Sequence, residues 1–219
     1  VFRGMYFSST PKIYKEKTMF NLIQSTYQTI RTQTEKLNLA VHFVLAVAAF
    51  GLMRVANIIL DNSYADSKFP VPYYVGQTAF SGEQIKEYYA FMIDAGTLDI
   101  YWQTQFIDYA FIGMVMITGL LLPSFVARLH QKGSWWYTIT FAFAVLMPLG
   151  GLFDAIENLI SFVMLARPET FANWIAIPYS TFAVMKFAAI ASSQVGTAIS
   201  LLAALILKGW QWTQTKMAV

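Results

Sequence analysis

With 219 residues, of which 57% are hydrophobic and only 12% charged, against about 25% charged in an ordinary soluble domain, the chain has too little polar surface to coat a globule. Its net charge of +3 is modest and its basic residues do not interleave with aromatics in one stripe, which excludes a nucleic-acid groove. With no cysteine, disulfides, thiolate metal sites and a cysteine nucleophile are excluded as well.

The chain opens on a basic arm, residues 1–36. Its first eighteen residues hold Arg3, Ser8, Ser9, Lys12 and Lys15 with no acid before Glu16, and they lack the apolar run of a secretory signal. This composition fits two settings, the remnant of a mitochondrial presequence or the short basic arm of a bacterial inner-membrane protein. The expected location is accordingly the mitochondrial inner membrane or a bacterial plasma membrane. Phe20, Ile23, Tyr27, Ile30 and Leu37 recur at helical spacing with Gln, Thr and Arg between them, the pattern of an interfacial amphipathic helix.

A spanning helix needs roughly 20 mostly apolar residues, and four segments qualify: 37–60, 106–129, 135–165 and 179–207. The expected fold class is an all-α integral membrane four-helix bundle with both termini on the inner side. The sidedness follows from the positive-inside bias. Arg31, Lys36, Arg128, Lys132, Lys208 and Lys216 share one side, whereas the connection 61–105 carries Asp61, Asp66, Glu83, Glu87, Asp94 and Asp99 against Lys68 and Lys86. Within that connection Ser81 with Gln84 forms a capping-box start, Ile85, Tyr88, Tyr89 and Met92 repeat at helical spacing, and Gly96 is placed to end the helix. A short amphipathic outer helix is expected there. In the third segment Pro148, Gly150 and Gly151 predict a bend, and residues 208–219 form an inner tail.

Ionisable side chains within spans are costly, by at least about 2.5 kcal/mol each, so each marks a functional hypothesis. Arg54, Asn57 and Asp61 fall at three- and four-residue steps along the first span. Asp108 opens the second, Asp154, Glu157 and Asn158 share a face of the third, and Lys186 sits early in the fourth. At 1.5 Å per residue, Arg54 and Lys186 lie roughly 9 to 11 Å below the outer boundary, Glu157 and Asn158 roughly 10 to 12 Å and Asp154 roughly 16 Å, with Asp108 just inside it. Because the helices alternate in direction, this common depth predicts one polar chamber in the outer half. Its candidate catalytic residues are Asp154, Glu157 and Lys186, an acid/base pair with a charge-setting amine. The candidate ligand-binding residues are Arg54, Asn57, Asp108 and Asn158. The competing view is that the same charges glue the helices together. His42 and His130 lack a matching ligand set, so no metal and no cofactor are expected. Trp135, Trp136, Trp210 and Trp212 read as boundary anchors, and Gly113 and Gly119 offer small-residue faces for self-association.

The runs SGEQIKEYYAFMIDAG (81–96), QTQFIDYAF (103–111), MPLGGLFDAIENLI (147–160) and TFAVMKFA (181–188) resemble a family of small uncharacterised four-span membrane proteins. That family carries an Asp-x-x-Glu-Asn signature after a proline in the third span. The resemblance covers about residues 37–207 and matches Asp108, Asp154, Glu157, Asn158 and Lys186 to signature positions, but implies no activity. A looser likeness, in span number and intramembrane acids alone, is to the sterol-isomerase and sigma-2-receptor group, which holds lipophilic amines and sterols against carboxylates. Three functions follow as expectations. The chamber binds or acts on a lipid or small amphiphile, with membrane lipids as partners. Alternatively, the chain is an accessory subunit of a larger respiratory or ATP-synthesising complex, or it moves protons or ions.

Overall fold

The computed structural model describes residues 11–217. Arg3, and with it most of the basic arm before Pro11, lies outside the described residues, as do the side chains of Phe20 and Ile23. Among the described residues the chain forms seven α-helices and one 3-10 turn, with no strand. The helices are α1 (Pro11–Lys36), α2 (Leu39–Asp66), α3 (Tyr73–Gln77), α4 (Gly82–Asp94), α5 (Leu98–Ala127), α6 (Trp135–Leu165) and α7 (Ala176–Met217). Helices α2, α5, α6 and α7 are long and apolar enough to cross a bilayer. The protein is therefore a multi-pass membrane protein built as a helical bundle.

Helix α6 begins and ends where the sequence places it. Ser134 caps it by accepting from the Tyr137 N–H at 3.2 Å, which satisfies one of the orphan donors of the first turn. The other three spans are longer than their apolar runs, because each helix continues through polar turns that hydropathy does not mark. Helix α2 runs on to Asp66 and α5 starts at Leu98 rather than 106. Helix α7 starts at Ala176, with Pro178 tolerated in its first turn, and absorbs the expected tail up to Met217.

The packing is a row rather than a closed square. Helix α2 rests on α5, α5 on α6 and α6 on α7, while α2 and α7 hardly touch. Burial follows from this order. On α2 a single stripe is buried, comprising His42, Ala46, Ala49, Met53, Leu60 and Tyr64, whereas Val44, Val47, Leu52 and Ile58 stand exposed, as lipid-facing residues do. On α6, flanked on both sides, pairs such as Gly150–Gly151 and Glu157–Asn158 are buried together. A Cβ on Gly119 would come within 2.7 Å of Met147 Cβ and 3.0 Å of the Pro148 ring, so this glycine admits α6 against α5. It is consumed inside the chain and is not a face for self-association, whereas Gly113 meets nothing within 4 Å.

Between α2 and α5 the connection folds over one end of the bundle, here termed the connection end. Helix α4 starts at Ser81, whose hydroxyl accepts from the Gln84 N–H at 3.3 Å, and buries Ile85, Tyr88, Tyr89 and Met92. It stops at Gly96 with φ of +66°, where Gly96 N–H bonds Ile93 O and Thr97 N–H bonds Met92 O, the paired bonds of a Schellman ending. Lys86 donates to Asn173 Oδ1 at 2.7 Å and the Phe80 N–H to Ser180 Oγ at 3.0 Å, fastening the cover to the start of α7. At the opposite end α1 docks on the α5–α6 turn. Tyr27 and Ile30 pack against Tyr137, Phe141 and Ala127, and Glu35 accepts from Lys132 Nζ at 2.8 Å and from the Tyr137 hydroxyl. Arg128 donates to the carbonyls of Thr34 and Leu37, each at 2.9 Å.

Candidate functional site: an acid cluster at the head of an interhelical groove

The separation of α2 from α7 leaves a groove with α5 and α6 as its floor, and two cavities lie along it. The one nearer the connection end holds about 150 Å³ and is lined by Asn57 and Tyr64 of α2, Tyr73 and Gln77 of α3, Asp108 and Phe111 of α5, Asp154 of α6, and Lys186 and Phe187 of α7. The next holds about 400 Å³ and is lined by Phe50, Met53 and Arg54 of α2, Thr118 and Leu122 of α5, Met147 of α6, and Gln194, Thr197 and Leu201 of α7. The residue numbers advance in step on each helix, so the two are successive stretches of one furrow, acidic at its head and apolar below.

At the head the third and fourth spans are bridged. Lys186 Nζ lies 2.5 Å from Asp154 Oδ1 and 2.5 Å from Glu157 Oε2, with Lys186 and Asp154 4% exposed and Glu157 fully buried. The spacing explains the fork, since Asp154 and Glu157 are three residues apart on α6 and so share a face. Asn158 Nδ2 donates to Asp108 Oδ2 at 2.9 Å, joining α6 to α5. Asp108, Asp154, Glu157, Asn158 and Lys186 were all expected in one outer-half chamber, and these five do converge.

Arg54 does not join them. It is exposed, donates to Asn57 Oδ1 at 3.0 Å, and makes no ion pair with any described carboxylate. On α2 it follows the buried Met53 by one residue, a rotation of about 100° at 3.6 residues per turn, which carries it from the floor to the rim. Three carboxylates therefore face one ammonium, not two cations. Asn57 reaches the head cavity, whereas Asp61 is exposed on the last turns of α2.

The aromatic walls were not anticipated. Tyr64 stacks on Tyr73 with ring centroids 5.1 Å apart, and Lys186 Nζ sits 5.1 Å from the centroid of Phe187. Tyr64 was discoverable, being seven residues beyond Asn57 on the same face of α2. Tyr73 was not, because a five-residue helix is too short to show a period. Burial, with the Asp61 carboxylate next, raises the Tyr73 phenol above its ordinary value, so it stays a neutral hydroxyl.

Away from the groove the two histidines are occupied structurally. Arg128 Nη1 lies 2.9 Å from His42 Nδ1. A guanidinium only donates, so Nδ1 is the acceptor and Nε2 carries the proton it gives to Leu121 O at 3.0 Å. His130 Nε2 meets Ser200 Oγ at 2.9 Å, and burial lowers its pKa.

Comparison with family models, curated proteins and solved structures finds no match to this chain. Function is therefore read from the geometry.

Proposed function

We propose that the protein binds a membrane lipid or similar amphiphile that enters sideways from the bilayer between α2 and α7. Its polar end would rest at the acid cluster and its chain along the apolar stretch below. The observation that carries this reading is the furrow itself, which runs from Asp108, Asp154 and Lys186 to Phe50, Leu122 and Leu201 along helices that hardly touch. Ligand sites of this kind are concave, mostly apolar and served by a few convergent polar groups. With the basic arm inside, the furrow opens to the outer leaflet.

In this reading Lys186 holds Asp154 and Glu157 in place, and the polar face offered to the ligand is made by Asp108, Asn57 and the free oxygen of Asp154. Acid/base work by Asp154 and Glu157 has less support, since both would first have to release Lys186. The test is native mass spectrometry of protein extracted in gentle detergent. We expect a lipid retained by the wild type and lost from Ala198→Phe, which fills the apolar stretch from its exposed rim. Equal retention by both forms would sink the proposal. A second reading, an accessory subunit of a larger complex, draws on the last turns of α7, where Trp210 is 67% exposed. Migration at high mass on a native gel would favour it.

A further inference from the structure

We infer that the amphiphile is a zwitterionic phospholipid, its ammonium seated in the head cavity against Asp108 and its phosphate held by Arg54. The inference rests on the groove being a lipid site and adds the chemistry of the headgroup.

Charge is the first reason. Lys186 is divided between Asp154 and Glu157, and among the described residues the only hydrogen-bond partner of Asp108 is the neutral amide of Asn158. Asp108 Oδ1 and Asp154 Oδ2 accept no hydrogen bond among the described residues, although Asp108 is 3% and Asp154 4% exposed, and both residues line the head cavity. A buried carboxylate calls for a positive partner; among the described residues Asp108 has no ion pair, and Lys186, which lines the same cavity, is already shared by Asp154 and Glu157. The walls are the second reason. Tyr64, Tyr73, Phe111 and Phe187 surround the same space, and aromatic faces attract ammonium groups, quaternary ones included. Size is the third. At about 30 Å³ per water-sized atom, a cavity of about 150 Å³ admits a group of roughly five non-hydrogen atoms, the scale of an ethanolamine or choline end.

Arg54 supplies the other half. It lines the apolar stretch, while its partner Asn57 lines the head cavity, so the guanidinium stands at the junction of the two. It has no carboxylate partner among the described residues, and its planar fork matches a phosphate. The order along the furrow is then ammonium, phosphate, acyl chain, which is the order of a phospholipid in the leaflet facing the connection end.

The full chain would be placed in nanodiscs of equal parts phosphatidylethanolamine, phosphatidylcholine and phosphatidylglycerol. After release into gentle detergent, retained lipid is identified by native mass spectrometry. We expect one phospholipid per chain, with ethanolamine and choline heads enriched over glycerol by about tenfold, the scale of one charge-assisted contact in a dry site. Asp108→Asn should abolish the enrichment while a lipid is still carried. Should that variant fail to fold, Tyr73→Leu, outside the spans and partly exposed, should lower the enrichment without touching the buried charges. Arg54→Gln should lower retention of every phospholipid. One lipid retained without headgroup preference, or a preference unchanged in the variants, overturns the inference and leaves the groove reading standing. No lipid retained from any bilayer removes both.

Discussion

Replacing Lys186 with Met tests whether the acid cluster is a dry ion network. Methionine keeps the unbranched shape and removes the ammonium, leaving Asp154 and Glu157, 4% and 0% exposed, with nothing positive among their hydrogen-bond partners. Breaking a buried pair by deleting one partner costs about 3–5 kcal/mol. An independent bound comes from neutralisation. Lys186 balances one of the two negative charges, and drawing one proton from solution at pH 7 onto a carboxyl with an ordinary pKa near 4, to replace that balance, costs about 4 kcal/mol at 1.36 kcal/mol per unit. The two routes agree, so we expect Lys186→Met to lose about 4 kcal/mol. At about 2–4 °C per kcal/mol for a chain of this size, the unfolding midpoint in detergent should drop by roughly 10 °C, followed as loss of helical circular dichroism. Removing all three charges together, with Asp154→Asn and Glu157→Gln added, should recover most of the loss, because a neutral triad leaves no stranded charge. A loss below about 1 kcal/mol for Lys186→Met would mean that water reaches the carboxylates and that the cluster is not the dry site described here.

Three other outcomes follow from the packing. Gly150→Ala should destabilise by about 1–3 kcal/mol, since its Cβ would lie 2.7 Å from Ile190 Cγ1 and 3.3 Å from the Ile190 backbone nitrogen; the same unfolding assay reads it, whereas Gly113→Ala, which meets nothing within 4 Å, should be silent. For Glu35, burial acts to raise the carboxyl, but hydrogen bonds from Lys132 and Tyr137 and the nearby Lys132 and Arg31 charges outweigh it and hold the pKa below its ordinary 4.5. A lowered folded-state pKa gives stability that is present above pH 4.5 and lost as the pH falls through the folded value, so limited proteolysis of α1 should accelerate below about pH 4 and Glu35→Gln should remove that dependence. Ser81→Ala should cost about 1 kcal/mol and loosen the cover over the connection end, seen as faster amide exchange in the first turn of α4.

The four spans, the short helix in the connection and the grouping of the acid cluster were legible because each rests on periodicity or on an apolar run, both local properties of the sequence. Capping residues placed α4 to the residue, and the apolar run placed α6. Helix ends were misjudged where polar turns continue the helix, at Asp61–Asp66, Leu98–Gln105 and Lys208–Met217, because hydropathy marks the membrane-facing portion and not the hydrogen-bonded one. Arg54 was grouped with the carboxylates because 54, 57 and 61 share a face. Which face turns inward depends on how many neighbours a helix has, and α2 has one. The same ignorance of neighbours made Gly119 look like an outer face when it receives Met147 and Pro148.

Among the spans α2 rests chiefly on α5, which is what makes the groove, and polar contacts add to the buried apolar stripe in fixing the arrangement. In a bilayer, apolar side chains gain little by leaving lipid for another helix, so greasy residues cannot by themselves decide whether α2 closes onto α7. Near the connection end Ser63 Oγ meets Thr104 Oγ1 at 2.7 Å, and near the opposite end His42 Nε2 reaches Leu121 O at 3.0 Å while its Nδ1 is held by Arg128. Both pins tie α2 to α5, and both lie outside the stretch between Phe50 and Asn57 that faces the furrow. A hydrogen bond in this setting is worth about 0.6 kcal/mol on average and up to about 1.7. Two pins at the ends are thus enough to set where α2 stands but leave its middle free of any tie to α7. The opening is a consequence of where the chain put its few polar side chains on α2.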